Sequence, residues 1–201
     1  MPKNLVIIDS GVSNLASVVA AFQRLGVPVQ ASVDPAVIRA ADRVVLPGVG
    51  AAAAAMLRLQ AQGLDAVIRS LTQPFLGICL GMQLLFEHSG EGQVGCLGVI
   101  PGAVQPLAPK PNMPIPHMGW NQIYPVGEAA HPLLKGVADE SFVYFVHSYA
   151  APVGDYTIAS CDYTQPFSAM VGWNNFYGCQ FHPERSGAVG QRILQNFLEL
   201  A

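Results

Sequence analysis

Pro74-Phe75-Leu76-Gly77-Ile78-Cys79-Leu80-Gly81-Met82-Gln83 decides how this chain is read. Phe75 to Ile78 is a short apolar run behind a proline, which predicts a buried parallel strand. Met82 to Glu87 is expected to start a helix. Between the two stands the spacing G-x-C-x-G, the cysteine form of a nucleophile elbow. A nucleophile on a sharp strand-to-helix turn is lifted clear of the sheet, in a strained backbone that small neighbours must tolerate. Gly77 and Gly81 supply that tolerance. At a helix N-terminus, free N–H groups and the dipole favour a thiolate. The N–H of Leu80 is placed to hold an oxyanion. The bland alternative, a small buried apolar cysteine, is the ordinary fate of this residue type. The glycine pair and the strand–helix setting argue against it.

Working outward, the N-terminal half alternates strands and helices. Leu5 to Ile8, Val27 to Val33, Arg43 to Leu46 and Pro74 to Ile78 read as strands. Leu15 to Leu25 reads as a helix closed by Gly26, and Asp34-Pro35 opens another as N-cap and N1. Ala51 to Gln62 is helical by propensity and ends at Gly63, with a further helix through Ser70. From Leu97 to Cys179 the segments are short and β-rich, among them Phe142–Tyr149, Thr157–Cys161 and Ser168–Val171. Pro101 to Pro116 reads as a long connection. A last helix spans about Gly187 to Leu200. The pattern predicts an α/β fold: an open, mostly parallel, doubly wound sheet with helices on both faces, extended by antiparallel strands. At 201 residues one domain over the whole chain is expected.

Composition excludes several classes. The net charge is -3 and the few basic residues are scattered, so no nucleic-acid footprint is present. No apolar run reaches the roughly 18 residues of a membrane span. Met1-Pro2-Lys3-Asn4 lacks the apolar region of a signal peptide, so a cytoplasmic location with free thiols is expected. Cys79, Cys96, Cys161 and Cys179 form no CxxC pair and no zinc spacing, so neither metal nor cofactor is expected. Charged residues are 11%, well below the ~25% usual for soluble chains. Some of the uncharged surface is therefore expected to meet a partner.

A thiolate enzyme needs an imidazole to move protons and a carboxylate to fix its tautomer. Phe181-His182-Pro183-Glu184 follows the strand-like Tyr177–Phe181. His182 and Glu184, two apart in an extended segment, are expected to lean to one face. Alone, this triplet is weak evidence and suits a surface turn. His88 reads as surface, His131 as a loop or cap residue, and His147 as structural. Pro47-Gly48-Val49-Gly50 follows the third strand, so its tip shares the carboxyl edge of the sheet with Cys79. Glycines on either side of Val49 allow a peptide to turn its N–H toward an oxyanion.

Together, Gly77-Ile78-Cys79-Leu80-Gly81-Met82-Gln83, Pro47-Gly48-Val49-Gly50 and Gln180-Phe181-His182-Pro183-Glu184 resemble the class I glutamine amidotransferases. Asp9-Ser10-Gly11-Val12-Ser13-Asn14-Leu15, His117-Met118-Gly119-Trp120-Asn121 and Tyr144-Phe145-Val146-His147-Ser148-Tyr149 narrow the resemblance to the glutaminase subunits of imidazole glycerol phosphate synthases, enzymes of histidine biosynthesis. It covers essentially the whole chain. The family usually has tyrosine where Ser10 stands, glycine at Ser13 and lysine at Arg185, all in loops near the partner face.

The resemblance implies that Cys79 attacks the side-chain amide of L-glutamine, that His182 transfers protons and that Glu184 orients it. It implies an oxyanion site at Gly48, Val49, Gly50 and Leu80, with Gln83, Ser148 and Tyr149 holding substrate. The partner would be a (β/α)8 cyclase subunit in a heterodimer, met and gated through Asn14, His117, Met118, Gly119, Trp120, Asn121 and Tyr144. Rival readings are a hydrolase or stress protein sharing the elbow, an amidotransferase with another synthase partner, and a binding module with a dead elbow. The histidine–glutamate pair, the HMGWN segment and the complete triad argue against them in turn.

Overall fold

The computed structural model describes residues 4–9, 11, 15–127 and 131–200. The first half runs β1 (Leu5–Ile8), α1 (Leu15–Arg24), β2 (Val29–Ser32), α2 (Pro35–Arg39), β3 (Arg43–Gly48), α3 (Ala52–Ala61), α4 (Leu64–Arg69), β4 (Phe75–Cys79) and α5 (Leu80–Gln83). The second half runs β5 (Phe86–Ser89), β6 (Val94–Gly95), β7 (Ile100–Pro106), β8 (His117–Pro125), β9 (Ser141–His147), β10 (Tyr149–Ala150), β11 (Thr157–Asp162), β12 (Pro166–Trp173), β13 (Phe176–Cys179) and α6 (Gly187–Glu199).

Among the described residues, nine strands form one sheet in the order β2-β1-β3-β4-β13-β12-β11-β8-β9. From β2 to β13 every pairing is parallel, and from β13 to β9 every pairing is antiparallel. This is the expected architecture. The strands alternate between two apolar layers because side chains on a strand alternate faces. Leu5 and Ile7 pack with Val18 and Phe22 of α1 and with Ile193, Leu194 and Phe197 of α6. Val6 and Ile8 pack with Ile38 of α2, Met56 and Leu59 of α3, and Ile68 of α4. Both faces being covered explains why these strands read as unbroken apolar runs.

Local signals behave as read. Asp34 caps α2, its carboxylate accepting from Ala36 N at 2.8 Å, with Pro35 in the first turn. Gly26 and Gly63 take the left-handed conformation that ends a helix, at φ +77 and +65. His131 caps a short 3-10 turn at Pro132–Leu134 by accepting from Leu133 N.

Four expectations are corrected. The helix after the elbow is a single turn, Leu80–Gln83; Phe86 and Glu87 already belong to β5. Pro101 to Pro106 is strand, not loop. Together, β10, β7, β5 and β6 make a separate four-stranded sheet. The proline is tolerated because the register shifts between Phe86 and His88, and Pro101-Gly102 falls in the irregular step. There Gly102 takes φ +102 and its N–H goes to Glu87 Oε2 at 2.9 Å. His88, expected at the surface, is half-buried in β5.

Candidate active site

Strand order builds the site. β3, β4 and β13 lie side by side, with Gly48 beside Cys79 and Cys179 beside Ile78. The carboxyl ends of three parallel strands thus place the Pro47–Gly50 loop, the cysteine and the His182 segment in that order along one edge. Residues far apart in sequence converge because parallel strands all end on the same side.

Cys79 sits at φ 54, ψ -111, a conformation that suits glycine. Main-chain packing holds it there. A Cβ on Gly81 would stand 1.9 Å from Leu46 O, one on Gly77 2.5 Å from Gly81 O, and one on Gly48 2.6 Å from Gly81 N. All three are closer than atoms approach without something moving. Gly48 is therefore a packing residue, and it does not line the cavity; Val49 and Gly50 do. Gly50 adopts φ +92. Only one helical turn, Leu80–Gln83, stands behind Cys79, so no long macrodipole points at the sulfur.

The sulfur of Cys79 lies 3.7 Å from Val146 O, accepts from Gln180 Nε2 at 3.8 Å, and hydrogen-bonds His182. His182 Nδ1 meets Glu184 Oε1 at 2.8 Å. With Nδ1 committed to Glu184, Nε2 is the nitrogen left for the sulfur. The segment is not extended: His182 precedes a 3-10 turn, Pro183–Arg185, and that turn brings the carboxylate back to the ring. Burial alone would lower the His182 pKa, but hydrogen bonds and negative charge from Cys79 and Glu184 outweigh it and push it up to about 10. The other thiols behave differently. Burial pushes Cys96 up to about 11 and Cys161 to about 12, and raises fully buried Cys179 as well. Thiols held up in this way stay protonated near neutrality, the weakly nucleophilic form.

A cavity of about 260 Å³ opens above the sulfur, lined by Val49, Gly50, Leu80, Gln83, Ser148 and Tyr149, among others. That is below the roughly 300 Å³ at which drug-sized sites begin, and suits a free amino acid. Gln83 is buried, and its Nε2 donates to Tyr149 O at 2.8 Å and to Gln180 Oε1 at 3.0 Å.

Two residues of the site have no role in the sequence reading. Gln180, quoted there only within its motif, is fully buried between Gln83 and Cys79. Its position just past β13, two before His182, is the available signal. Glu91 lines the cavity and accepts from Ala52 N at 2.9 Å, capping α3, whose own N-cap residue Ala51 offers no side-chain bond. Nothing local in a Gly-Glu-Gly turn signals this contact across 39 residues.

The β8–β9 hairpin has two unlike faces. Trp120 pairs with Tyr144 and Gln122 with Phe142, whereas His117 pairs with His147 and Gly119 with Phe145. Met118 (67%), Trp120 (55%) and Phe142 (53%) are exposed, and Trp120 stacks edge-on with half-buried Tyr144. His117, expected at the partner face, is instead buried on the other face. Asn121 also turns inward, to His117 and Asp162 O. Ser10, Ser13 and Asn14 lie outside the described residues. Among the described residues, no helix is long and apolar enough to cross a membrane.

The class I glutamine amidotransferase family model matches residues 6–201. "Imidazole glycerol phosphate synthase subunit HisH" of Vibrio cholerae serotype O1 is 50% identical over 206 residues, covering 100% of both chains. The protein of the same name from Xanthomonas axonopodis pv. citri is 52% identical over 198 residues, 98% of each chain. In fold, the chain is similar to a putative GMP synthase subunit from Thermoplasma acidophilum (TM-score 0.74, 20% identity, 99% of this chain and 94% of that one). It is also similar to a glutamine amidotransferase from Thermotoga maritima (TM-score 0.67, 19% identity, 99% and 82%). With the family match spanning nearly the whole chain and the elbow, base and carboxylate assembled at one sheet edge, this chain belongs to the class I glutamine amidotransferases.

Proposed function

We propose that the chain, a single domain over residues 1–201, is the glutaminase subunit of an imidazole glycerol phosphate synthase. The observation that carries the reading is Cys79 at the floor of an amino-acid-sized cavity, bonded to a histidine that Glu184 holds at 2.8 Å. Relatives about 50% identical over their full length bear that subunit's name, which supports the choice of synthase.

The Cys79 thiolate attacks Cδ of the glutamine side chain, and the carbonyl oxygen becomes an oxyanion. The N–H of Leu80 and the Val49–Gly50 peptide stabilise that charge; the conformational freedom of glycine, here at φ +92, supports this role. His182 gives its proton to the amide nitrogen, the C–N bond breaks, and ammonia leaves from a glutamyl thioester. Water then gives a proton to His182 and attacks the thioester. The C–S bond breaks, and glutamate departs. Glu184 keeps the ring oriented throughout. Gln83, Ser148 and Tyr149 position the substrate, and Glu91, the carboxylate on the cavity wall, faces its α-ammonium group.

Ammonia released into water takes up a proton and stops being a nucleophile. The reading therefore includes a second protein, a (β/α)8 cyclase, that receives it directly. Met118, Trp120, Phe142 and Tyr144 form the docking face, an aromatic patch of the kind that anchors interfaces. The test is glutamate release from glutamine with and without that cyclase and its nucleotide ligand, with Cys79→Ala as control. Release that needs both the partner and Cys79 supports the whole reading. High release without a partner overturns the choice of synthase, and no release overturns the glutaminase.

A further inference from the structure

His117 and His147 are buried, lie outside the triad, and are joined to each other. The chain of contacts runs from the outer edge of the hairpin to the cavity wall. Asn121 Nδ2 lies 3.0 Å from Asp162 O and 3.3 Å from His117 Nε2. His117 Nδ1 lies 2.9 Å from His147 Nε2, and His147 Nδ1 lies 2.9 Å from Tyr149 O. That same carbonyl accepts from Gln83 at 2.8 Å.

Both ends of the chain are chemically fixed. A backbone carbonyl only accepts, so Asn121 presents its NH2 group to Asp162 and therefore to His117 Nε2. The Tyr149 carbonyl likewise requires a proton on His147 Nδ1. One assignment satisfies every link. His117 Nε2 accepts from Asn121, His117 Nδ1 donates to His147 Nε2, and His147 Nδ1 donates to Tyr149. Both rings are then neutral and both carry their proton on Nδ1. A second proton on either ring would set N–H against N–H at one of the links. Burial lowers both rings, His117 to about 4 and His147 to about 3, in agreement. Packing prevents a ring from turning over: Tyr163 stacks on His117 at 4.0 Å and Phe145 at 4.8 Å, while Phe167 meets His147 edge-on at 4.9 Å.

We propose that His117 and His147 are positioning residues for glutamine: a one-way chain of hydrogen bonds from Asn121 sets the tautomer of His147 and so fixes the Tyr149 carbonyl, and with it the Ser148–Tyr149 wall of the cavity. This rests on the glutaminase reading. His117 never reaches the cavity; it acts by leaving His147 Nε2 no choice but to accept. Remove it, and His147 is free to move its proton to Nε2, leaving the carbonyl held by Gln83 alone.

Two measurements test this. Imidazole 15N spectra of the unsubstituted chain at neutral pH are expected to show both rings neutral and protonated on Nδ1. An Nε2–H tautomer or a charged ring at either position overturns the proposal, whatever the protein binds. Glutamine binding is then measured by calorimetry in the Cys79→Ala background, where nothing turns over. Adding His117→Phe, which keeps the aromatic packing, is expected to weaken binding about tenfold, the worth of one hydrogen bond. His147→Asn, which retains a donor toward Tyr149, is expected to bind more tightly than His147→Phe. Equal affinities across folded variants overturn the positioning role alone. Absence of glutamine binding by Cys79→Ala, both alone and with the cyclase and its nucleotide ligand, overturns the glutaminase reading as well. Should the substituted chains fail to fold, the ring spectra of the unsubstituted chain still decide.

Discussion

Tyr144 holds the backbone of His182 from both sides. Its carbonyl accepts the His182 N–H at 2.9 Å. Its own N–H donates at 3.0 Å to Ser186 Oγ, whose hydroxyl donates at 2.7 Å to the His182 carbonyl. The strand bearing the exposed aromatics therefore sets the height of the His182 imidazole. Ser186→Ala removes half of this clamp. Turnover at saturating glutamine is expected to fall about tenfold, with glutamine affinity nearly unchanged. A loss confined to KM would show that the clamp serves binding instead.

Cys79→Ala is expected to abolish glutamate release, by about 10⁴-fold or more. Its backbone strain predicts a second, non-catalytic result. At φ 54, ψ -111 a glycine is at ease and an alanine is not, so Cys79→Gly should be more stable than Cys79→Ala by about 1 kcal/mol. Urea unfolding of the two variants checks this, and the reverse order would show that the elbow is unstrained.

Gly81→Ala would drive a Cβ to within 1.9 Å of the Leu46 carbonyl. The contact is backbone on backbone, so no rotamer relieves it. The expected cost is about 3 kcal/mol or more, read as a large fall in Tm or loss of folded protein. Gly95→Ala, where an added Cβ meets nothing within 4 Å, serves as the control and should behave as the unsubstituted chain.

Glu91→Gln keeps an acceptor for Ala52 N and removes the charge facing the cavity. KM for glutamine is expected to rise about tenfold or more, with Tm held. The discriminating substrate is glutaramate, which has no α-amino group. The unsubstituted enzyme should prefer glutamine over it, and Glu91→Gln should lose most of that preference. An unchanged preference would place the ammonium elsewhere.

Stability should fall away on both sides of neutrality. Below about 6.5, the usual histidine value, an unfolded chain protonates His117 and His147, whereas the folded chain refuses until about 4 and about 3. Acid therefore favours unfolding across that window. His182 works in the opposite sense. Raised to about 10, it contributes fully below 6.5, and that contribution is lost as the pH climbs through 10. Denaturant unfolding at several pH values checks both limbs, and His117→Phe should flatten the acid limb only.

Some of this is legible in the sequence for a clear reason. Gly77 and Gly81 mark where main chain meets main chain, and that constraint is local enough to leave a spacing. The parallel half of the sheet is legible because its strands are apolar on both faces. The second sheet is not. Leu84, Leu85 and Phe86 continue an apolar run that suits a helix equally well, and only pairing with Ile100 makes Phe86 a strand residue. Pro101 and Pro106 suggest a loop, because the irregular step that accommodates Pro101 is a tertiary feature. His117 is placed at the partner face by the resemblance, along with its neighbours Met118 and Trp120. A strand's two-residue period puts it on the opposite face. Glu91 leaves no pattern, since it is defined by what it touches across the fold, and Gln180 leaves only its place two residues before His182.

Where Gly48, Gly77 and Gly81 meet, no side chain separates β3, β4 and α5. Such a joint has no rotamers to adjust and so almost no give. Cys79 therefore stands on main chain packed directly against main chain. Across the cavity, Pro116 and Glu91 border it from a bend and a turn. The two walls of one small cavity are thus built differently, with main chain against main chain beneath the sulfur and residues of turns opposite.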